Sequence, residues 1–221
     1  MAERIIKTFV EGTWHDNAHL EWINVLLEKE GIKLVSLLKG ESPDLIIFTG
    51  GEDINPSMYG EPVGMYTAYL PKRDSFCNKL WNYAIENEVP TIGICRGAQF
   101  LCVKNSGSLI QHVNGHGSYH MIKAQNGEQM YMSSTHHQMM NPFTAPLGSY
   151  QILAYTAPRI SNTYLNGWNK PVDPPQVEPE VVFFRYTKSL AIQGHPEYMD
   201  IGKYTAPKWI AERINELILT T

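Results

Sequence analysis

The segment Gly93-Ile94-Cys95-Arg96-Gly97 sets one cysteine between two glycines, where an apolar run gives way to a helical one. This spacing fits a nucleophile elbow, a strand that turns so sharply into a helix that the central side chain stands at the top of a sheet. Glycines two before and two after the cysteine let strand and helix approach and let the turn be strained. A sulfur placed there meets a helix N-terminus, whose dipole and unpaired N–H groups favour a thiolate. The N–H of the next residue, Arg96, points the same way and could donate to an oxyanion. Taken alone, the five residues fit a buried cysteine in a β-α turn equally well. Acyl-transfer chemistry needs a base and a second oxyanion donor elsewhere. Cys102, two helical turns further on, and Cys77, within an amphipathic segment, read as packing.

A base and its orienting acid stand near the end of the chain, where Leu190-Ala191-Ile192-Gln193 leads into Gly194-His195-Pro196-Glu197-Tyr198. In extended backbone, residues i and i+2 point to the same side, so the Glu197 carboxylate can reach the His195 imidazole and fix its tautomer. Pro196 keeps the backbone extended and ends the strand. A neutral His195 Nε2 facing the thiol would take its proton and return it to a leaving amine, the logic of a triad with cysteine as nucleophile.

Strands are expected at residues 5–10, 33–38, 45–48 and 91–94, and helices at 18–30, 74–88 and 96–104. Trp22, Ile23, Leu26 and Leu27 make the apolar face of the first helix, and Phe76, Leu80 and Ala84 that of the second. Strands alternating with helices argue for a parallel sheet covered on both faces. After Gly107 short β-type runs follow at 109–113, 121–123, 130–132, 151–155, 181–186 and 189–193, before a last helix at 207–219 with Ile210, Ile214, Leu217 and Ile218 facing the core. The fold class expected is α/β, with a mostly parallel central sheet and added antiparallel strands in the second half. Residues 157–180, with five prolines, read as a long loop, and loops of such length are usually functional or mobile.

Composition sets the partners. The 221 residues suit one domain spanning 1–221, and 43% hydrophobic with 18% charged residues fits a soluble globule. A net charge of -4 gives no footprint for nucleic acid or anionic lipid, so a small molecule is the expected partner. No run approaches the roughly 18 apolar residues of a membrane span. The start Met1-Ala2-Glu3-Arg4 lacks a signal-peptide pattern, and three cysteines suggest a reducing compartment, so a cytoplasmic location is expected.

Together, Gly93-Ile94-Cys95-Arg96-Gly97-Ala98-Gln99 and His195-Pro196-Glu197 resemble the class I, triad-type glutamine amidotransferases. Three further segments, Gly50-Gly51-Glu52-Asp53-Ile54-Asn55-Pro56-Ser57-Met58-Tyr59-Gly60, Arg73-Asp74 and Ser134-Thr135-His136-His137-Gln138, are similar to the γ-glutamyl hydrolase branch that includes γ-glutamyl-γ-aminobutyrate hydrolase. The resemblance implies a flavodoxin-like three-layer domain, no cofactor, and cleavage of a γ-glutamyl amide through a glutamyl thioester. It implies Cys95, His195 and Glu197 as catalytic residues, and Gly51 and Arg96 as oxyanion-hole N–H donors. Gln99, Ser134, His136 and His137 would then be substrate-binding. Asp53 and Tyr59 would fix the loop after the oxyanion turn. Ser133 departs from the Asn usual in this branch, and residues 157–180 have no counterpart, which leaves the leaving amine open.

Two other functions compete: a glutaminase subunit passing ammonia to a separate synthetase partner, and a binding module that kept the fold without the chemistry. A homodimer is also open. His112, His116 and His120 recur every four residues and would share a face as metal ligands on a helix. Gly115, Gly117 and Ser118 argue against that helix, so no metal is expected.

Overall fold

The computed structural model describes residues 3–12 and 16–220; Met1 and Ala2 of the expected N-terminal pattern lie outside them. The strands in chain order are β1 (Arg4–Glu11), β2 (Ile32–Ser36), β3 (Leu45–Phe48), β4 (Thr91–Ile94), β5 (Ser108–Ile110), β6 (His112–Val113), β7 (His120–Ala124), β8 (Gln129–Met132), β9 (Met139–Asn141), β10 (Tyr150–Thr156), β11 (Tyr164–Leu165), β12 (Glu178–Phe184) and β13 (Ser189–Ile192). The helices are α1 (Asp16–Leu27), α2 (Pro71–Glu86), α3 (Arg96–Lys104) and α4 (Ala206–Ile214), the last continued by a π-helical turn, Asn215–Leu219.

Nine strands form one sheet in the order β2-β1-β3-β4-β13-β12-β10-β7-β8. From β2 to β13 neighbours run parallel, and from β13 outward they are antiparallel. This is the mixed α/β fold expected. Alternation along the central strands builds two cores. Leu45 and Ile47 of β3 join α1 and α4, with Trp22, Ile23, Trp209 and Ile210. Ile46 and Phe48 face the other way, onto Trp81 of α2 and Phe100 of α3. A strand buried on both sides must read as a continuous apolar run, and Leu45-Ile46-Ile47-Phe48 does.

The structure corrects several sequence-based expectations. Helix α2 starts at Pro71, whose fixed φ suits a first helical position, and not at residue 74. Its inward face is Asp74, Cys77, Trp81 and Ala84, while Phe76 is exposed. The face is offset because Asp74 and Cys77 turn inward to meet Arg96. The expected strand 109–113 breaks into β5 and β6, which pair with β9 and β11, two strands not expected.

Residues 157–180 are tied down. Glu178, buried on β12, accepts from the N–H groups of Ile160 and Ser161 at 3.0 Å each and from the Tyr164 hydroxyl at 2.7 Å. Further along, Gly167 N–H donates to Glu61 and Asn169 accepts from Met65 N–H, docking the segment on residues 61–65.

The parallel strands deliver Glu11, Thr49-Gly50-Gly51, Cys95 and Gly194-His195 to their carboxyl ends, the side of an α/β sheet where ligands bind. Strands β4 and β13 are in register with Ile94 opposite Ile192, so Cys95 and His195 emerge from adjacent strands.

Candidate active site

Cys95 has φ 51° and ψ -106°, a conformation that costs a residue with a side chain on the order of 1–3 kcal/mol. Helix α3 begins at the next residue, which holds the strained turn in place. Both flanking glycines are required by space. A Cβ on Gly93 would lie 2.4 Å from the Gly97 carbonyl, and one on Gly97 would lie 2.0 Å from the Phe48 carbonyl.

His195 is buried and its Nδ1 lies 2.7 Å from Glu197 Oε1, leaving Nε2 for the thiol. Burial alone would lower its pKa. Hydrogen bonds and charge interactions with Cys95 and Glu197 outweigh that and push it up to about 10. These partners favour the charged form of the ring. Tyr198 stacks on it with ring centroids 4.6 Å apart and planes 8° apart. Gly50 leaves space on another side, since a Cβ there would sit 3.0 Å from the ring.

Burial pushes Cys77 up to about 11 and Cys102 up to about 12, so both stay protonated.

Gly51 opens at φ 137°, and a Cβ on it would meet the Arg73 guanidinium at 2.1 Å. Arg73 forms a two-pronged pair with buried Glu11, Nε to Oε1 and Nη2 to Oε2 at 2.8 Å each, and its Nη2 also donates to the Gly50 carbonyl at 2.9 Å. Burial would raise the Glu11 pKa, but the bonds and charge of Arg73 hold it below the ordinary carboxylate value. The side chain of Arg96 points away from the cleft, into a buried pair with Asp74 at 2.6 Å. Its backbone N–H stands at the first turn of α3, beside Cys95.

Around these groups lies a cleft of about 420 Å³, lined by Gly51, Cys95, Gln99, His136, His137 and His195, with Tyr66 and Tyr198 at its sides. Gln99 Nε2 donates to the Gln138 carbonyl at 3.0 Å. His137 Nε2 lies 3.3 Å from Asp53 Oδ1; the hydrogen bond to Asp53 raises its pKa, and partial burial opposes this. Asp53 also accepts from the Ala68 N–H at 2.9 Å, closing the loop after Gly51. Tyr59 packs against the core on the α2 side, and burial raises its pKa. Ser134 is not among the residues lining the cleft: its hydroxyl donates to the His116 carbonyl at 2.7 Å. Sequence reasoning missed Tyr66 and gave Tyr198 no role; the one signal available was that Tyr198 follows Glu197 directly.

A mixed sheet with a strained cysteine elbow, and a histidine–glutamate pair in the turn just beyond the adjacent strand, has the architecture of the class I glutamine amidotransferase-like superfamily. Residues 34–152 match the Peptidase C26 family, and the chain belongs to that family. A putative glutamine amidotransferase of Schizosaccharomyces pombe is 39% identical over 79 residues, which are 34% of this chain and 30% of that protein. Across five curated relatives the aligned part spans 28–38% of their length. Among solved structures, a putative GMP synthase subunit of Thermoplasma acidophilum superposes with a TM-score of 0.62 at 13% identity, covering 100% of this chain and 96% of that one. PurLQS of Thermotoga maritima gives 0.57 at 15%, covering 97% and 98%. At such identities the likeness concerns the fold. Among the described residues, no helix is long and apolar enough to cross a membrane.

Proposed function

We propose that this chain hydrolyses a γ-glutamyl amide, with Cys95 as nucleophile and His195 and Glu197 as its acid–base pair. The observation that carries the reading is His195 held between Glu197, at 2.7 Å, and a cysteine on a strained elbow. The Cys95 sulfur attacks the γ-carbonyl carbon, and the carbonyl oxygen becomes an oxyanion facing the N–H groups of Gly51 and Arg96. His195 Nε2–H protonates the leaving amine as the C–N bond breaks, giving a glutamyl thioester. The now neutral His195 takes a proton from water, which attacks the thioester; glutamate leaves, and the thiolate–imidazolium pair returns.

At the cleft wall, His137 gives a cationic partner for the glutamyl carboxylate when protonated, and Gln99 and His136 shape the head-group side. Ser134 acts behind the wall, holding the His116 segment. No metal or organic cofactor enters these steps.

A second reading is a glutaminase subunit feeding a synthetase, favoured by the end-to-end likeness to PurLQS and to one GMP synthase subunit. One assay separates the two. The purified chain is given free glutamine and a panel of γ-glutamyl amines without a partner. The proposal predicts that at least one γ-glutamyl amine exceeds glutamine in kcat/KM by tenfold or more. Robust turnover of glutamine alone would favour the second reading.

A further inference from the structure

Behind the His136 side of the cleft, four side chains converge in the interior: His116, His120, His136 and Glu180, each at least nine-tenths buried. His116, from the turn before β7, and His120 on β7 face Glu180 of β12, and His136 reaches the same carboxylate from the loop that lines the cleft. His112, the third histidine of the four-residue repeat, lies elsewhere, stacked on Tyr66.

The hydrogen bonding of this cluster does not close. His136 Nδ1 lies 2.9 Å from the Gln138 carbonyl and His120 Nδ1 lies 3.2 Å from the Ser118 carbonyl. A carbonyl only accepts, so each Nδ1 carries a proton, and each Nε2 faces Glu180, that of His120 within hydrogen-bond distance of Oε1 at 2.9 Å. His136 Nε2, both ring nitrogens of His116 and Glu180 Oε2 make no well-aligned hydrogen bond, although they are buried; His116 lies at ion-pair distance, 3.7 Å from Glu178 and 3.3 Å from Glu180.

We propose that His116, His136 and Glu180 form a site for one divalent transition-metal ion of the zinc class, with His120 hydrogen-bonded to the same carboxylate. Tetrahedral ligands about 2.0–2.2 Å from zinc lie about 3.3 Å from one another. Glu180 Oε1 is 3.3 Å from His116 Nδ1, 3.8 Å from His136 Nε2 and 2.9 Å from His120 Nε2. The donor atoms of His116, His136 and Glu180 all fall within 4.8 Å of one another. Imidazoles whose far nitrogen donates to a backbone carbonyl are the usual form of zinc-ligating histidine. With these three donors the ion keeps a fourth position open. It ties the loop carrying His136, His137 and Gln138 to β7 and β12, and so sets one wall of the cleft without taking part in bond cleavage.

The test uses the full-length Cys95→Ser protein, so that the elbow thiol cannot supply a ligand. After chelator treatment it is titrated with Co²⁺ and, separately, Zn²⁺. The expected result is one ion per chain, the strong visible bands of tetrahedral Co²⁺, and an X-ray absorption first shell of nitrogen and oxygen with imidazole outer-shell scattering. H116Q in the same background should weaken binding by about a hundredfold or more. Weak octahedral Co²⁺ absorption, less than one ion per chain, or unchanged affinity in H116Q, which would place the ion at the surface pair His112–His137, would overturn the proposal. The stoichiometry and spectra of the Cys95→Ser protein decide the question even where H116Q does not fold.

Discussion

Arg96 Nη2 lies 2.6 Å from Asp74 Oδ1, with both side chains buried, so the residue after the cysteine is anchored to helix α2 rather than turned to the cleft. The second Asp74 oxygen accepts the Asn55 N–H at 3.1 Å, in the loop that follows Gly51. One carboxylate thus joins the elbow to the oxyanion turn. Arg73, its neighbour, grips the Gly50 carbonyl and Glu11. The Arg73-Asp74 pair is therefore positioning machinery for both N–H groups assigned to the oxyanion.

Replacing Asp74 by Asn keeps an acceptor for Asn55 but strips the counter-charge from a guanidinium that is 1% exposed. Breaking a buried pair in this way costs about 3–5 kcal/mol. Urea denaturation of D74N should show that loss. A loss under about 1 kcal/mol would mean that the pair does not hold the elbow.

Arg73→Lys retains a positive charge but not the planar fork that grips Glu11 and the Gly50 carbonyl together. The expected outcome is a kcat lowered by about tenfold or more with KM nearly unchanged, because in the proposed mechanism the Gly51 N–H serves only the charged intermediate. The same clamp sets acid sensitivity. The Glu11 pKa is lower in the folded protein, so its contribution is full above the ordinary carboxylate value and is lost as pH falls through the folded one. E11Q should flatten the acid limb of a stability–pH curve; an unaltered limb would count against the clamp.

The His195 pKa of about 10 fixes the alkaline side of the rate profile. In the proposed mechanism its protonated form delivers a proton to the leaving amine, and that form persists until pH rises through that value. The kcat/KM profile should therefore hold level through pH 8 and fall near pH 10. E197Q removes one of the charges that raise the pKa and should bring the alkaline fall to lower pH. A wild-type fall centred near 6.5 would contradict the assigned environment.

Local spacing carried the chemistry that could be read from the sequence. Gly93, Cys95 and Gly97 lie within five residues, His195 and Glu197 within three, and the runs 45–48, 91–94 and 189–192 are apolar because both faces of their strands are buried. What spacing could not give was long-range. The inward face of α2 is set by Arg96, a partner 22 residues beyond Asp74. Strands β9 and β11 are short segments whose pairing partners lie 29 or more residues earlier in the chain. The four-residue repeat of His112, His116 and His120 suggested a helix face; a turn and a strand instead send two of them to Glu180 and one to Tyr66.

The central claim is that Cys95 carries the acyl group. The most direct measurement is to acid-quench the protein during turnover of a γ-glutamyl amide, digest it, and locate the modified peptide by mass spectrometry. The account predicts a γ-glutamyl group on Cys95, released by neutral hydroxylamine and absent from Cys95→Ala, which should not turn over. An adduct on Cys77 or Cys102, or undiminished turnover by Cys95→Ala, would contradict it.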